Sequence, residues 1–149
     1  MNITLETELD RQREQTVINR ITQKEGVEAH RMPQYSVADY IITSNGKLSS
    51  VIELKIRKQT EQEVRTYGGV MFKHTKLLKL QTLKTLINAP VVILFAFENG
   101  EGPIYGCDVT RIPDYPPQIP PRRRNYRGLP TDEEHVIYLD WEKDLIYRW

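Results

Sequence analysis

Apolar positions follow two different periods along the chain. Over residues 5–24, Val17, Ile18 and Ile21 fall on one stripe, and Gly26 stands where a left-handed residue ends a helix, so this segment is predicted helical. A short extended stretch, 27–32, leads to Pro33. Period two then takes over: Ala38, Tyr40 and Ile42 alternate with Asp39, Ile41 and Thr43, the turn formers Ser44-Asn45-Gly46 follow, and Ile52, Leu54 and Ile56 resume the alternation. That is the signature of a β-hairpin. Residues 61–88 read as helical with an interruption at Gly68-Gly69; Leu77, Leu80, Leu83 and Ile87 supply the apolar face and Pro90 closes it. Residues 91–97 form an unbroken apolar run, suited to a strand covered on both faces. After turn signals at Asn99-Gly100 and Gly102-Pro103, another strand is expected over 104–109 and a last one over 136–141. Helix, strand, hairpin, helix, buried strand and strand together predict an α/β or α+β sandwich, with helices on a central mixed sheet.

Composition narrows the class. A chain of 149 residues, 39% hydrophobic and 28% charged, fits one globular domain spanning 1–149. No apolar run reaches the length of a membrane span and the start of the chain does not read as a signal peptide, so no membrane partner and a cytoplasmic setting are expected. One cysteine, Cys107, cannot form an internal disulfide and reads as a packed strand residue; His30, His74 and His135 are too dispersed for a zinc finger.

The net charge of +1 hides an uneven distribution. Between residues 55 and 84, Lys55, Arg57, Lys58, Arg65, Lys73, Lys76, Lys79 and Lys84 face only Glu61 and Glu63. A second basic segment, with Arg122, Arg123, Arg124 and Arg127, lies among six prolines between 113 and 130, which predicts an extended arm or loop. Both fit phosphate binding, or a solvated helix face and a basic strap.

Phosphate-cradling loops, dinucleotide fingerprints and nucleophile elbows are absent. What remains is Asp39 on one hairpin strand and Glu53-Leu54-Lys55 on the other, residue types that suit a hard divalent cation and metal-assisted phosphodiester hydrolysis. A Glu-x-Lys triplet is expected about 0.8 times by chance in this composition, so its strand context must carry the argument. With Ile52, Leu54 and Ile56 toward the core, Glu53, Lys55 and Arg57 share the opposite face. For Asp39 to join them, odd positions must lie opposite odd ones. A two-residue Asn45-Gly46 turn pairs positions summing to 91 and breaks that parity. A three-residue loop, Ser44-Asn45-Gly46 with Gly46 left-handed, pairs positions summing to 90 and keeps it, so a bulged loop is expected. Glu14, a carboxylate on the core-facing stripe of the first helix, also needs a reason for its place.

Glu14, Asp39 and Glu53-Leu54-Lys55, followed by a basic helix and the buried run 91–97, resemble the core of the PD-(D/E)XK, or restriction-endonuclease-like, nuclease superfamily. The arrangement is most similar to archaeal-type Holliday-junction resolvases and to small virus-type replication and repair nucleases. It covers about residues 10–97; Ala38 stands in place of the motif's proline. The resemblance implies an α/β fold with a central mixed sheet flanked by helices. It implies a DNA endonuclease, with Mg²⁺ or Mn²⁺ as cofactor, DNA as partner and room for a homodimer; junction or branched DNA is one candidate substrate, and flap, single-stranded or duplex DNA and RNA stay open. Residue by residue, it implies that Asp39, Glu53 and the backbone carbonyl of Leu54 bind the metal, that Lys55 positions the attacking water, and that Glu14 completes the site through water, with Glu6 and Glu8 as rivals. Arg57, Lys58, Lys73, Lys76, Arg122, Arg123, Arg124 and Arg127 are the candidate DNA contacts. Gln81 could point toward the site or sit on the helix surface, and Tyr67 could stack on a base or be buried. The rival class is a non-cleaving nucleic-acid-binding or host-interaction module on the same fold, which has no need for carboxylates where phosphates approach.

Overall fold

The computed structural model describes residues 7–120 and 135–149. The chain opens with α1 (Glu8–Glu25), begun by a capping box in which the Thr7 hydroxyl accepts from Asp10 N at 3.1 Å and Asp10 accepts from Thr7 N at 3.0 Å, and ended by Gly26 at φ 66°. Then come β1 (Glu28–Arg31), β2 (Tyr40–Ser44), β3 (Lys47–Ile56), the short helix α2 (Glu61–Arg65), β4 (Val70–Lys73), α3 (His74–Leu86), β5 (Val91–Ala96), β6 (Ile104–Asp108), β7 (Val136–Leu139) and β8 (Tyr147–Arg148).

Six strands form one mixed sheet in the order β1-β2-β3-β5-β6-β8, in which only the β3–β5 pair is parallel; β4 and β7 form a separate antiparallel ribbon. Both faces of the sheet are covered. On one, Val17, Ile18 and Ile21 of α1 pack against Tyr40, Ile42, Ile52, Leu54, Val92 and Leu94. On the other, Leu77 and Leu80 of α3, with Val70, Phe72, Ile137 and Leu139 of the ribbon, pack against Val51, Ile93 and Phe95. Each large apolar side chain fully removed from water contributes about 1.5–3 kcal/mol, so two covered faces give β5, buried at every position, its dominant place in the core.

Several sequence expectations need correction. The stretch 61–88 is not one interrupted helix, because β4 lies inside it. Val70 and Phe72 are buried while Met71 and Lys73 are exposed, a period-two pattern too short to outweigh its helical surroundings. Its partner β7 lies far away in sequence, and the strands approach so closely at Gly69 that a Cβ there would stand 2.7 Å from the Leu139 carbonyl oxygen. The strand expected near the C-terminus therefore exists as β7, but in the ribbon. The face bearing Glu53, Lys55 and Arg57 is not an open charged surface, since the second core layer lies over it. Ala38 belongs to that layer too, because the chain bends before β2 begins and does not continue its alternation. Tyr67 is exposed.

The hairpin reaches the expected parity by another route. Ser44 pairs with Lys47 around a two-residue turn, with Asn45 at φ 52° and Gly46 at φ 75°, the doubly left-handed turn that suits the twist of paired strands. Gly46 has the expected sign, but the three-residue bulged loop is absent. A bulge instead sits between Thr43↔Leu48 and Ile42↔Ser50, leaving Ser49 as the extra residue, and beyond it Tyr40 pairs with Ile52. Odd again lies opposite odd.

Candidate active site

Where β2 starts, its backbone gives way to a side chain. Asp39 N donates to the Ile52 carbonyl at 2.9 Å, and the next donor along β3, Leu54 N, goes to Asp39 Oδ2 at 2.8 Å. The carboxylate thus finishes the ladder that β2 leaves incomplete. On β3, Val51 N and Arg57 N donate to Pro90 and Ala96 on the β5 side. The even residues therefore turn their backbone groups toward β2, and the Leu54 carbonyl faces the same edge as Asp39.

Glu53 projects from the adjacent position into the layer under α3. It is a charged residue with only 3% exposure, and a buried carboxylate requires partners. Two ammonium groups provide them. Lys55 Nζ lies 3.3 Å from Glu53 Oε2, and Lys76 Nζ, reaching down from α3, lies 3.5 Å from Oε1. At that separation Lys76 makes an ionic contact, and Oε1 has no hydrogen-bond partner. Burial pushes the Glu53 carboxyl above the usual carboxylate range, the charge of Asp39 pushes the same way, and Lys55 and Lys76 oppose both. The charge of Asp39 thus reaches Glu53 as a like charge.

A hard divalent cation suits this donor set. It requires oxygen ligands from one or two carboxylates, and the buried Glu53 Oε1, which makes no hydrogen bond and faces only the Lys76 ammonium, is such an oxygen, with the charge of Asp39 acting on the same group. Among the described residues, no group of three His, Cys, Asp or Glu side chains gathers at metal-binding distance, so protein carboxylates alone would fill few ligand positions. Mg²⁺ keeps several waters in just such sites.

Glu14 lies on the α1 side, where its Oε1 accepts from the Tyr40 hydroxyl at 3.2 Å. Tyr40 follows Asp39 in sequence and its side chain enters the α1 layer, so Glu14 is held beside the start of β2. Burial first, then the Glu14 charge, drives the Tyr40 hydroxyl pKa upward, which keeps it a donor to that carboxylate. Glu8 heads the exposed first turn of α1, and Glu6 lies outside the described residues.

The remaining candidates divide. Arg57 donates to the Met71 carbonyl at 3.3 Å with its guanidinium 6.0 Å from the Phe95 ring centroid, Lys58 and Lys73 lie on the surface, and Lys76 is drawn into the site. Arg122, Arg123, Arg124 and Arg127 lie outside the described residues. Gln81 Nε2 donates to the Val109 carbonyl at 3.2 Å and is engaged in the fold. Burial pushes the Cys107 thiol up to about 12, which leaves it inert packing in β6. The contact of Lys76 with Glu53 was not read from the sequence, although a signal exists. Lys76 precedes Leu80 by four positions and Leu83 by seven, so it stands on the apolar stripe of α3 as Glu14 does on that of α1.

A mixed sheet between helices, with Asp39 just before its central hairpin and Glu53 and Lys55 on the second strand of it, is the layout expected of a PD-(D/E)XK nuclease. Over residues 2–143 the sequence matches the family described as "Phage putative PDDEXK endonuclease", and the chain belongs to that family. No curated protein matches it significantly. The fold is similar to that of Archaeoglobus fulgidus Hjc, a Holliday junction resolvase from an archaeal hyperthermophile, with a TM-score of 0.54 and 12% sequence identity over 87% of this chain and 83% of that one. No helix among the described residues is long and apolar enough to cross a membrane.

Proposed function

We propose that this nuclease is a Mg²⁺- or Mn²⁺-dependent DNA endonuclease that hydrolyses phosphodiester bonds at the edge of β3. The observation that carries this reading is the buried Glu53 carboxylate, whose Oε1 makes no hydrogen bond and on which the charge of Asp39 acts. Asp39, Glu53 and the Leu54 carbonyl would hold the cation, with Glu14 reaching it through water. When bound, the cation supplies Lewis-acid polarisation of the phosphate and a more acidic water. Lys55, held on Glu53 Oε2, directs an ammonium to where the attacking water and the developing negative charge would lie. Arg57, Lys58 and Lys73 are candidate phosphate contacts that set position rather than sequence. Branched DNA joins duplex and single strands as a substrate to compare, because the fold is shared with a junction resolvase.

The test is incubation of the purified protein with labelled linear, single-stranded, flap and four-way-junction DNA in Mg²⁺, Mn²⁺ or EDTA. Cleavage is expected with either metal and none in EDTA. Asp39→Asn and Glu53→Gln are expected to abolish it while retaining the fold and most of the DNA affinity. Full activity in EDTA or in either variant refutes the site. DNA binding without cleavage under every condition would favour the non-cleaving module.

A further inference from the structure

Glu53 is flanked by more positive charge than a lone catalytic lysine would provide. Lys55 already faces Oε2 at 3.3 Å, yet Lys76 descends from another element to 3.5 Å from Oε1, the oxygen best suited to a metal. We infer that Lys76 is a stand-in cation, occupying in the metal-free protein the place at Glu53 that the divalent ion takes, and leaving it for a DNA phosphate when both arrive. This inference rests on the metal site proposed above.

The charge balance gives the reason. Asp39, Glu53, Lys55 and Lys76 carry no net charge between them, Glu14 lying with Tyr40 on the α1 side. A divalent cation raises the site to +2, with the Lys76 ammonium, if it stayed, among the nearest repelling charges. A phosphodiester brings one negative charge back and gives the displaced ammonium a new partner. Lys76 has only 24% of its side chain exposed but is not enclosed, and an ammonium on a four-carbon stem can exchange one anionic oxygen for another nearby. Metal should therefore bind weakly to the free protein and more tightly in the presence of DNA. By linkage, DNA should bind more tightly with metal by the same factor. Lys76 acts here as a positioning residue that couples the two ligands, and it keeps the ion off the enzyme until a substrate is present.

The experiment is titration of Mn²⁺ into the full chain, followed by loss of the free-ion paramagnetic resonance signal, with and without phosphorothioate-protected junction and duplex DNA. For Lys76→Met without DNA, Mn²⁺ affinity is expected to rise about tenfold over wild type, a gain that a merely damaged fold would not produce. Lys76→Arg should behave like wild type, and DNA should tighten Mn²⁺ binding less in Lys76→Met than in wild type. Lys76→Gln repeats the measurement should the methionine variant fail to fold. Equal or weaker Mn²⁺ binding by the neutral variants, with wild type binding the ion, overturns the role of Lys76 and leaves the metal site standing. No Mn²⁺ binding by any form, with or without DNA, overturns both.

Discussion

The cost of holding Glu53 away from water gives the metal-free protein one source of pH dependence. Its carboxyl lies above the usual range chiefly because it is buried, so the folded state binds that proton more tightly than the unfolded one. Stability from this group is accordingly present at low pH and lost as pH rises from the ordinary carboxylate range through the elevated folded value. Glu53→Gln removes the penalty. Without metal, its melting temperature at pH 7 is expected to exceed that of wild type by about 2–4 °C per kcal/mol relieved, and the two should converge on acidification. A lower melting temperature for the variant at neutral pH would mean that the two lysines outweigh burial. Lys55 is separable from the carboxylates. Lys55→Met should slow cleavage by orders of magnitude with little change in DNA affinity, because charge that develops in the transition state is what its ammonium meets. Poor DNA binding with a normal single-turnover rate would reduce Lys55 to a phosphate contact. At this scale the shared face of Glu53 and Lys55 was legible because strand alternation is local, whereas Asp39 stands in the bend just before β2. The contact of Lys76 with Glu53 depends on how α3 lies across the sheet, which no local pattern specifies.

At the scale of elements, the hairpin has to deliver Asp39 and Glu53 to one place. Burial of Tyr40, Ile42, Ile52 and Leu54 in one layer demands the same parity, which is why the pairing of odd with odd could be read from the sequence although the device producing it could not. A three-residue loop and a two-residue turn with a bulge satisfy the pattern equally; Asn45-Gly46 favours the second, with both residues left-handed. Ser49 is therefore predicted to be worth more than its side chain. Deleting it should pull the register by one, separate Asp39 from Glu53, and lower both Mn²⁺ affinity and thermal stability, whereas Ser49→Ala should change neither appreciably. Wild-type metal binding by the deletion variant would show that the bulge is dispensable. The strands β4 and β8 escaped sequence reading for a different reason: they have four and two residues, and each is made a strand by a partner remote in the chain.

Across the whole molecule, Gln118 in the proline-rich stretch pairs with Val136, the first residue of β7. Gln118 N and Val136 O, and Val136 N and Gln118 O, are each 2.8 Å apart, while His74 N at the start of α3 donates to the His135 carbonyl at 3.0 Å. Among the described residues, His135 thus stands at the start of the helix that bears Lys76. Replacing Arg122, Arg123, Arg124 and Arg127 by alanine should weaken DNA binding and reduce the log–log salt slope by up to about four units, if each neutralises one phosphate. An unchanged slope with a lower melting temperature would assign them to structure. Another consequence lies in the order of synthesis. The Arg20 guanidinium of α1 is received by the carbonyls of Gly100 and Gly102, both at 2.8 Å, and β3 finds its parallel neighbour only in β5. α1 and the β2–β3 hairpin, which pack on one another, therefore emerge from the ribosome before β5 and the Gly100 and Gly102 carbonyls that complete their surroundings. Contacts so distant in sequence fold late, and a nascent chain that has not yet reached Gly102 carries every proposed metal ligand without the enclosure that would make them a nuclease.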